Sequence, residues 1–234
     1  MSGIEALTMA ARVQVVNAVV TRHNLRSTVR LTGVPQNRVK ALIMKLGAAC
    51  ARFQDETLEG LPGGNLEWSE TLAFQAKVGN APEEQEYRRT TGSVWTWTCL
   101  DSRSKLVPSW RIGPKNSSAE AELHRDIAQR YEKREPIGSI ALSVGDSSID
   151  LPGREHVRYI CRKWFGTLQG GFARKVERHS AVVALCLMYY NFSLIHPDFG
   201  TTPSIASGKA THIWRADDIV ALLDRTVPHS TTGM

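Results

Sequence analysis

The side chains with the clearest chemical meaning are clustered between residues 25 and 46, in the sequence LRSTVRLTGVPQNRVKALIMKL. Basic and amide side chains recur there at helical spacing, a combination suited to contacts with phosphates and with the edges of bases. The candidate DNA-binding residues are Arg26, Arg30, Gln36, Asn37, Arg38, Lys40 and Lys45. The segment therefore predicts a surface that binds nucleic acid.

Two short helices joined by a tight turn are expected to position these side chains. Leu25 and Val29 fall on one face of a first helix, and Gly33 supplies a turn residue. Pro35 suits the first turn of a second helix, where its missing N–H costs nothing. Helical spacing predicts that the second helix packs on the first through Val39, Leu42, Ile43 and Leu46. The pattern is typical of a helix-turn-helix.

The distribution of charge favours an anionic partner. The chain of 234 residues carries a net charge of +6, with a pI near 9.3. Residues 1–47 hold seven Lys and Arg side chains, whereas Glu5 is their single acidic residue. A second basic run, residues 151–180, is interleaved with Tyr159, Trp164 and Phe165. That run suits either a nucleic-acid surface or a solvated helix face.

The cysteines and the apolar runs predict a cytoplasmic protein without a membrane span. The four cysteines, which form no CxxC or Cys/His pair, are Cys50, Cys99, Cys161 and Cys186. Buried thiols are therefore expected, rather than a zinc module or a disulfide framework. The longest apolar run, around Ala181 to Tyr190, is too short to span a bilayer, and the pattern of the first residues leads us to expect no signal peptide.

The remaining pattern predicts an α+β protein with two domains. Residues 1–60 are expected to form an all-α helix-turn-helix domain, with helices over residues 4–20 and 48–58 beside the motif. Residues 65–234 are expected to form a mixed α/β domain. Its expected elements are a strand at 66–75, hairpin strands at 94–100 and 106–112, a helix from 116–118 to 133, a strand at 137–144 and a helix at 172–190.

With these features in place, the chain resembles bacterial insertion-sequence transposases of the insertion-sequence-one type, a branch of the DDE transposases. Three stretches carry the resemblance, in the expected order and across most of the sequence. RSTVRLTGVPQNRVKALIMKLGAACARFQD is similar to the end-binding domain of the family, and VWTWTCLDSRSKLVPSW is similar to its central hairpin. KVERHSAVVALCLMYYNFSLIHPDFGTTPS and the later HIWRADDIVALLD are similar to its C-terminal helix and tail.

The resemblance implies an RNase H-like domain in which three carboxylates hold two Mg²⁺ ions, or Mn²⁺ in their place. One metal lowers the pKa of the attacking water or 3′-hydroxyl, and the other stabilises the leaving oxygen. The ligands must therefore be anionic oxygens held close together. The implied activity is cleavage and transfer of DNA strands at the ends of an insertion element.

The sequence departs from the family pattern at the first carboxylate. If Trp68-Ser69 corresponds to the Trp-Ser of the family, the position of its Asp holds Asn65 and the position of its Glu holds Leu66. Asn is a neutral ligand and does not replace the charge of a carboxylate. Glu67 lies nearby, but strand alternation places it on the opposite face from Trp68.

The other two carboxylates have weaker counterparts. Asp146 is the best match to the second, although a turn residue after Gly145 is an equal reading. Glu155 is the nearest candidate for the third, although an exposed Glu without a catalytic role fits the sequence better. The short interval between Asp146 and Glu155 replaces a long connecting segment, so an internally shortened RNase H-like domain is expected.

Four other conspicuous residues are expected to be structural. Asp101 fits the hairpin turn, and His196 fits a hydrogen-bonded structural role because no nucleophile lies near it in sequence. Trp95 and Trp97 alternate onto one strand face, where core packing is the expected role.

Three hypotheses follow for the function. The first is a transposase that binds double-stranded DNA at the element's ends and cuts it with Mg²⁺. The second is a DNA-binding remnant or regulator that recognises the same ends without cutting. The third is a helix-turn-helix transcription factor with a ligand domain. A homo-oligomer is compatible with each, since the sequence does not set the oligomeric state.

Overall fold

The computed structural model describes residues 4–21, 23–62, 64–75, 93–113, 117–132 and 175–225. These residues form seven α-helices and a three-stranded antiparallel sheet. The chain is therefore an α+β protein, as expected from the sequence. None of the helices in these ranges is both long enough and apolar enough to cross a membrane.

Three helices open the chain: α1 (Met9–Val20), α2 (Leu25–Thr32) and α3 (Gln36–Thr57). The expected helix over residues 4–20 begins only at Met9, because the Thr8 side chain accepts a hydrogen bond from the Ala11 N–H at 3.2 Å and caps α1 there. The expected helix over residues 48–58 is the second half of α3, which runs without a break.

The connection between α2 and α3 is set by local hydrogen bonds and by one glycine. The Asn24 side chain accepts a hydrogen bond from the Ser27 N–H at 2.9 Å, which caps the start of α2. Gly33 ends α2 with a φ of 67°, in the left-handed region that glycine adopts without strain. α3 begins directly after Pro35. Both helices and the turn at Gly33 therefore agree with the sequence pattern.

The sheet has the order β1-β2-β3, and its strands are β1 (Leu66–Gln75), β2 (Ser93–Asp101) and β3 (Ser109–Gly113). β1 has the bounds expected from the sequence. β3 begins at Ser109 and not at the expected residue 106. The backbone of Val107 forms its hydrogen bonds with the side chain of Asn191 instead of with a neighbouring strand. That side chain accepts from the Val107 N–H at 3.0 Å and donates to the Val107 carbonyl at 2.9 Å. Pro108 then follows, which has no N–H for the ladder.

Helix α4 (Ser117–Arg130) packs on one face of the sheet, and α5 (Val176–Phe192), which packs chiefly on α3, contacts the other face. Trp68 of β1 packs against His124 of α4, with 4.0 Å between ring centroids. Thr96 of β2 is hydrogen-bonded to His179 of α5 at 2.7 Å. α4 ends before residue 133 because the Arg130 carbonyl accepts a hydrogen bond from the Leu61 N–H, at 2.8 Å.

The C-terminal segment returns to the first helices. It contains α6 (Pro203–Ala206), α7 (Ala216–Ala221) and a 3₁₀ turn (Leu222–Asp224). Ile219, Val220 and Leu222 are buried in the hydrophobic cluster that also contains Val16 and Val19 of α1. The residues assigned to the two predicted domains therefore share one core.

Several sequence predictions lie outside the described residues. They are the strand at 137–144, Asp146, Glu155, Cys161 and most of the basic run at 151–180.

Candidate nucleic-acid interface

Helix α3 presents a row of residues opposite its buried face. Its first three turns bury Val39, Leu42, Ile43 and Leu46, each at most 1% exposed. On the opposite side, helical geometry places Asn37, Ala41, Met44 and Ala48 in one row. Asn37 and Ala48 are exposed, whereas Ala41 and Met44 are half-buried. We call these four residues the outer row.

Basic side chains lie on both sides of the outer row. Gln36 and Lys40 follow one side of it, while Arg38 and Lys45 follow the other. Gln36 and Lys45 are exposed, and Arg38 and Lys40 are half-buried. The Asn37 Oδ1 accepts a hydrogen bond from the Arg38 N–H at 2.9 Å. The structure thus brings all five α3 residues predicted from the sequence to its outer side.

Helix α2 adds two more cations. Arg26 and Arg30 are exposed and lie one turn apart on one side of α2. On its other side Thr28 is buried, and the Thr32 hydroxyl donates to the Thr28 carbonyl at 2.8 Å. Glu5 is the single acidic residue among the first 50. The surface of α2 and the first half of α3 is therefore strongly basic.

The second half of α3 is fixed to α5. A Cβ atom at Gly47 would lie 2.6 Å from the Cβ of Ala181, so the two helices cross in direct contact there. Further along α3, the Gln54 side chain donates to the Ala184 carbonyl at 3.1 Å and accepts from Asn191 at 3.3 Å. Sequence reasoning missed these contacts, because each joins residues that are far apart in the chain.

An aromatic cluster holds the C-terminal segment against α3. The ring of Phe53 lies 5.4 Å from Phe192 and 4.8 Å from Trp214, measured between centroids. The Arg225 guanidinium lies 4.9 Å from the centroid of the Phe53 ring. The helix that carries the outer row is therefore braced by α5 and by the C-terminal segment.

The start of β1 does not show the carboxylate pattern of a metal site. Asn65 is exposed, and its carbonyl accepts hydrogen bonds from the Ser102 N–H at 2.8 Å and from the Ser102 hydroxyl at 3.0 Å. Asp101 and Glu67 are the nearby acids. The Asp101 carboxylate accepts from the Arg103 N–H at 3.0 Å and the Ser104 hydroxyl at 2.8 Å, whereas the Oε2 of Glu67 is buried without a hydrogen-bond partner among the described residues. The predicted turn role of Asp101 is confirmed.

A buried ion network joins α3, α4 and β3. Arg130, which is 5% exposed, contacts Asp126 at 2.7 Å and Asp55 at 2.6 Å. Arg111 contacts Asp126 at 2.9 Å, and the Ser109 hydroxyl donates to the same carboxylate. Burial acts to raise the pKa of Asp126, but hydrogen bonds from Arg130 and Ser109 and the nearby guanidinium charges hold it below its ordinary value.

Beside this network lies a cavity of about 370 Å³, lined in part by Asp55, Arg111, Arg130 and Ser180. Asp55 is the most exposed acid of the network, with 65% of its side chain accessible. Because the charges of the network pair with one another, we assign them a structural role.

The remaining conspicuous residues are structural. Trp97 is buried and Trp95 is half-buried, which confirms the expected core packing. The His196 Nδ1 accepts a hydrogen bond from the Asp198 N–H at 3.2 Å, so this histidine has the expected structural role. Cys50, Cys99 and Cys186 are buried thiols, as expected. Burial raises the pKa of the Cys50 and Cys99 thiols.

Comparison of the chain with protein families, with curated proteins and with solved structures finds no match. Among the described residues, no group of three or more His, Cys, Asp or Glu side chains is arranged to hold a metal ion. Asp146 and Glu155, the two predicted ligands, lie outside those residues. The described part of the chain therefore offers a basic helical surface, and at the two acidic positions of the family's first motif it holds the uncharged Asn65 and Leu66.

Proposed function

We propose that the protein binds double-stranded DNA through α2 and the first half of α3. The observation that carries this proposal is the neutral outer row of α3 with basic side chains on both flanks. A helix of this kind fits the major groove, where its centre meets base edges and its flanks meet the phosphates of both strands. Arg26 and Arg30 of α2 add contacts to the backbone of the duplex.

The resemblance of the sequence to insertion-sequence-one-type transposases supports a more specific role. In that role the α1–α3 region is the helix-turn-helix of an end-binding domain, and its DNA is the terminal sequence of an insertion element. The sheet with α4 and α5 then belongs to an RNase H-like domain. An antiparallel sheet of three consecutive strands, followed by α4 on one face and contacted by α5 from the other, is compatible with this assignment.

Strand cleavage is the part of the family's activity that the described residues support least. Bound Mg²⁺ or Mn²⁺ would supply activation of the attacking oxygen and stabilisation of the leaving oxygen. The exposed amide of Asn65 lacks the negative charge that a two-metal site requires. The nearby Asp101 carboxylate accepts hydrogen bonds from Arg103 and Ser104 within the hairpin turn. Asn65 therefore favours the alternative function, a protein that binds the ends and regulates transposition without cutting.

One experiment tests both parts of the proposal. The purified full chain is mixed with duplex DNA from the ends of its own element, with Mg²⁺ or Mn²⁺, and bound and nicked DNA are scored together. Binding without nicking is the expected result. Nicking that disappears in Asp146→Ala and Glu155→Ala would establish a working metal site, and absence of binding at low salt would contradict the proposal.

A further inference from the structure

We infer, on the basis of the proposed duplex binding, that the outer row of α3 reads A·T base pairs. Asn37 contacts the adenine, while Ala41 and Met44 contact the methyl group of thymine. The proposed function leaves open which bases are recognised, and the types of the outer-row residues decide between them.

Asn37 has the chemistry that matches adenine. In the major groove adenine presents N7 as an acceptor and its N6 amino group as a donor, and an Asn side chain pairs with both at once. Asn37 is exposed in the first turn of α3, where recognition helices contact bases. Its Oδ1 now accepts the Arg38 N–H, a weak local contact that an exposed side chain can exchange for a base.

Ala41 and Met44 provide the apolar part of the reading surface. Thymine differs from cytosine in the major groove by its O4 acceptor and by its C5 methyl group, which favours apolar contact. Ala41 lies one turn after Asn37, and Met44 lies almost one turn further along the same row. Both pack in part against the hydrophobic core and keep the rest of their surface accessible. The small side chain of Ala41 also lets the helix approach the groove closely.

The position of the cations argues against recognition of G·C pairs. Guanine is read most often by Arg or Lys, which donate to its O6 and N7. The outer row contains neither, since Arg38, Lys40 and Lys45 lie on its flanks. Flanking cations meet phosphates, which fix the register of a helix but carry no sequence information.

The inference is tested by selection from a pool of random duplexes with the full chain at moderate salt. The expected selected site contains A·T pairs at adjacent positions. Replacing its thymines by deoxyuridine, which removes only the C5 methyl groups, should weaken binding about fourfold per methyl contact. Since the protein is unchanged in this comparison, misfolding does not affect the result.

A variant then assigns the adenine contact. Asn37→Ala should lower the preference for A·T over G·C about tenfold or more, with an unchanged salt slope. Asn17→Ala, at an exposed position of α1, is the control and should keep the preference. Binding without an A·T preference, or with a G·C preference, would overturn the inference alone. Loss of all duplex binding by the unmodified chain would overturn the proposed function and the inference with it.

Discussion

Gly47 of α3 and Ala181 of α5 bring the backbones of two helices into direct contact. A Cβ atom at position 47 would lie 2.5 Å from the Ala181 Cα, closer than real Cβ atoms approach their neighbours. Only glycine therefore fits at this crossing. Because α3 is one continuous helix, the crossing also sets where its outer row lies relative to the sheet.

Gly47→Ala is expected to destabilise the protein. In an exposed helix this change would stabilise by about 1 kcal/mol, because Ala is the better helix former. Here the added methyl group forces α3 and α5 apart, and we expect a loss of about 1–3 kcal/mol in the free energy of unfolding. Urea denaturation of the full chain measures this.

The matched comparison is the double variant Gly47→Ala with Ala181→Gly. It should remain destabilised, because the Ala181 backbone obstructs the new methyl group as well. A stabilising effect of Gly47→Ala alone would contradict the observed crossing.

His179 is expected to make stability depend on pH. Burial lowers its pKa to about 4, whereas the unfolded value is about 6.5. Between these values the unfolded chain binds more protons, so the free energy of unfolding falls as the pH decreases from about 6.5 to 4. The full difference is about 3 kcal/mol. His179→Gln should flatten this part of the pH profile, and His212→Gln, at an exposed position, should not. If the free energy of unfolding falls equally with decreasing pH in both variants, His179 is not the cause of the pH dependence.

Arg130→Met should cost about 1.5–3 kcal/mol of stability, because the half-buried Asp126 carboxylate loses its closest cation. Of its partners in the described structure, this carboxylate keeps only Arg111 and the Ser109 hydroxyl. The control is Arg125→Met on the exposed side of the same helix, for which we expect a change within about 0.5 kcal/mol. Thermal or urea denaturation checks both. Similar values for the two variants would show that the network contributes no more than a surface charge.

Trp214→Ala should loosen the C-terminal segment from α3. We expect a loss of about 2 kcal/mol or more, since the ring packs on Phe53 and on Phe192. DNA affinity should fall only as far as the fold is lost, with an unchanged salt slope, because no charge is removed. Thr211→Ala is the neighbouring exposed control. A reduced salt slope in Trp214→Ala would place the C-terminal segment at the DNA.

The sequence pattern predicts the helices, turns and strands that are determined by interactions between residues close together in the chain. Helical spacing and Gly33 were sufficient for α2, the turn and the start of α3, and strand composition was sufficient for β1. The start of β3 was predicted too early, because Asn191 bonds the Val107 backbone from a distant helix. The contact of Gly47 with Ala181 could not be predicted either, since a glycine inside a helix does not indicate which other helix packs against it.

The sequence pattern predicts the charged residues of the candidate interface but does not identify its apolar residues. Helical periodicity alone places Ala41 and Met44 on the outer side of α3, because they lie opposite Leu42 and Ile43. Their residue types are more typical of a buried face, so composition alone does not identify them. The proposed metal ligands Asp146 and Glu155 stay predictions.

The most direct test of the central claim is the salt dependence of duplex binding by single-charge variants. For the unmodified chain the logarithm of the binding constant should fall linearly with the logarithm of salt concentration. Arg38→Ala and Arg30→Ala should each reduce the slope by about 0.9, the value for one phosphate contact. Arg125→Ala, an exposed arginine on α4, should leave the slope unchanged. Equal slopes for all variants and the unmodified chain would contradict DNA binding through α2 and α3.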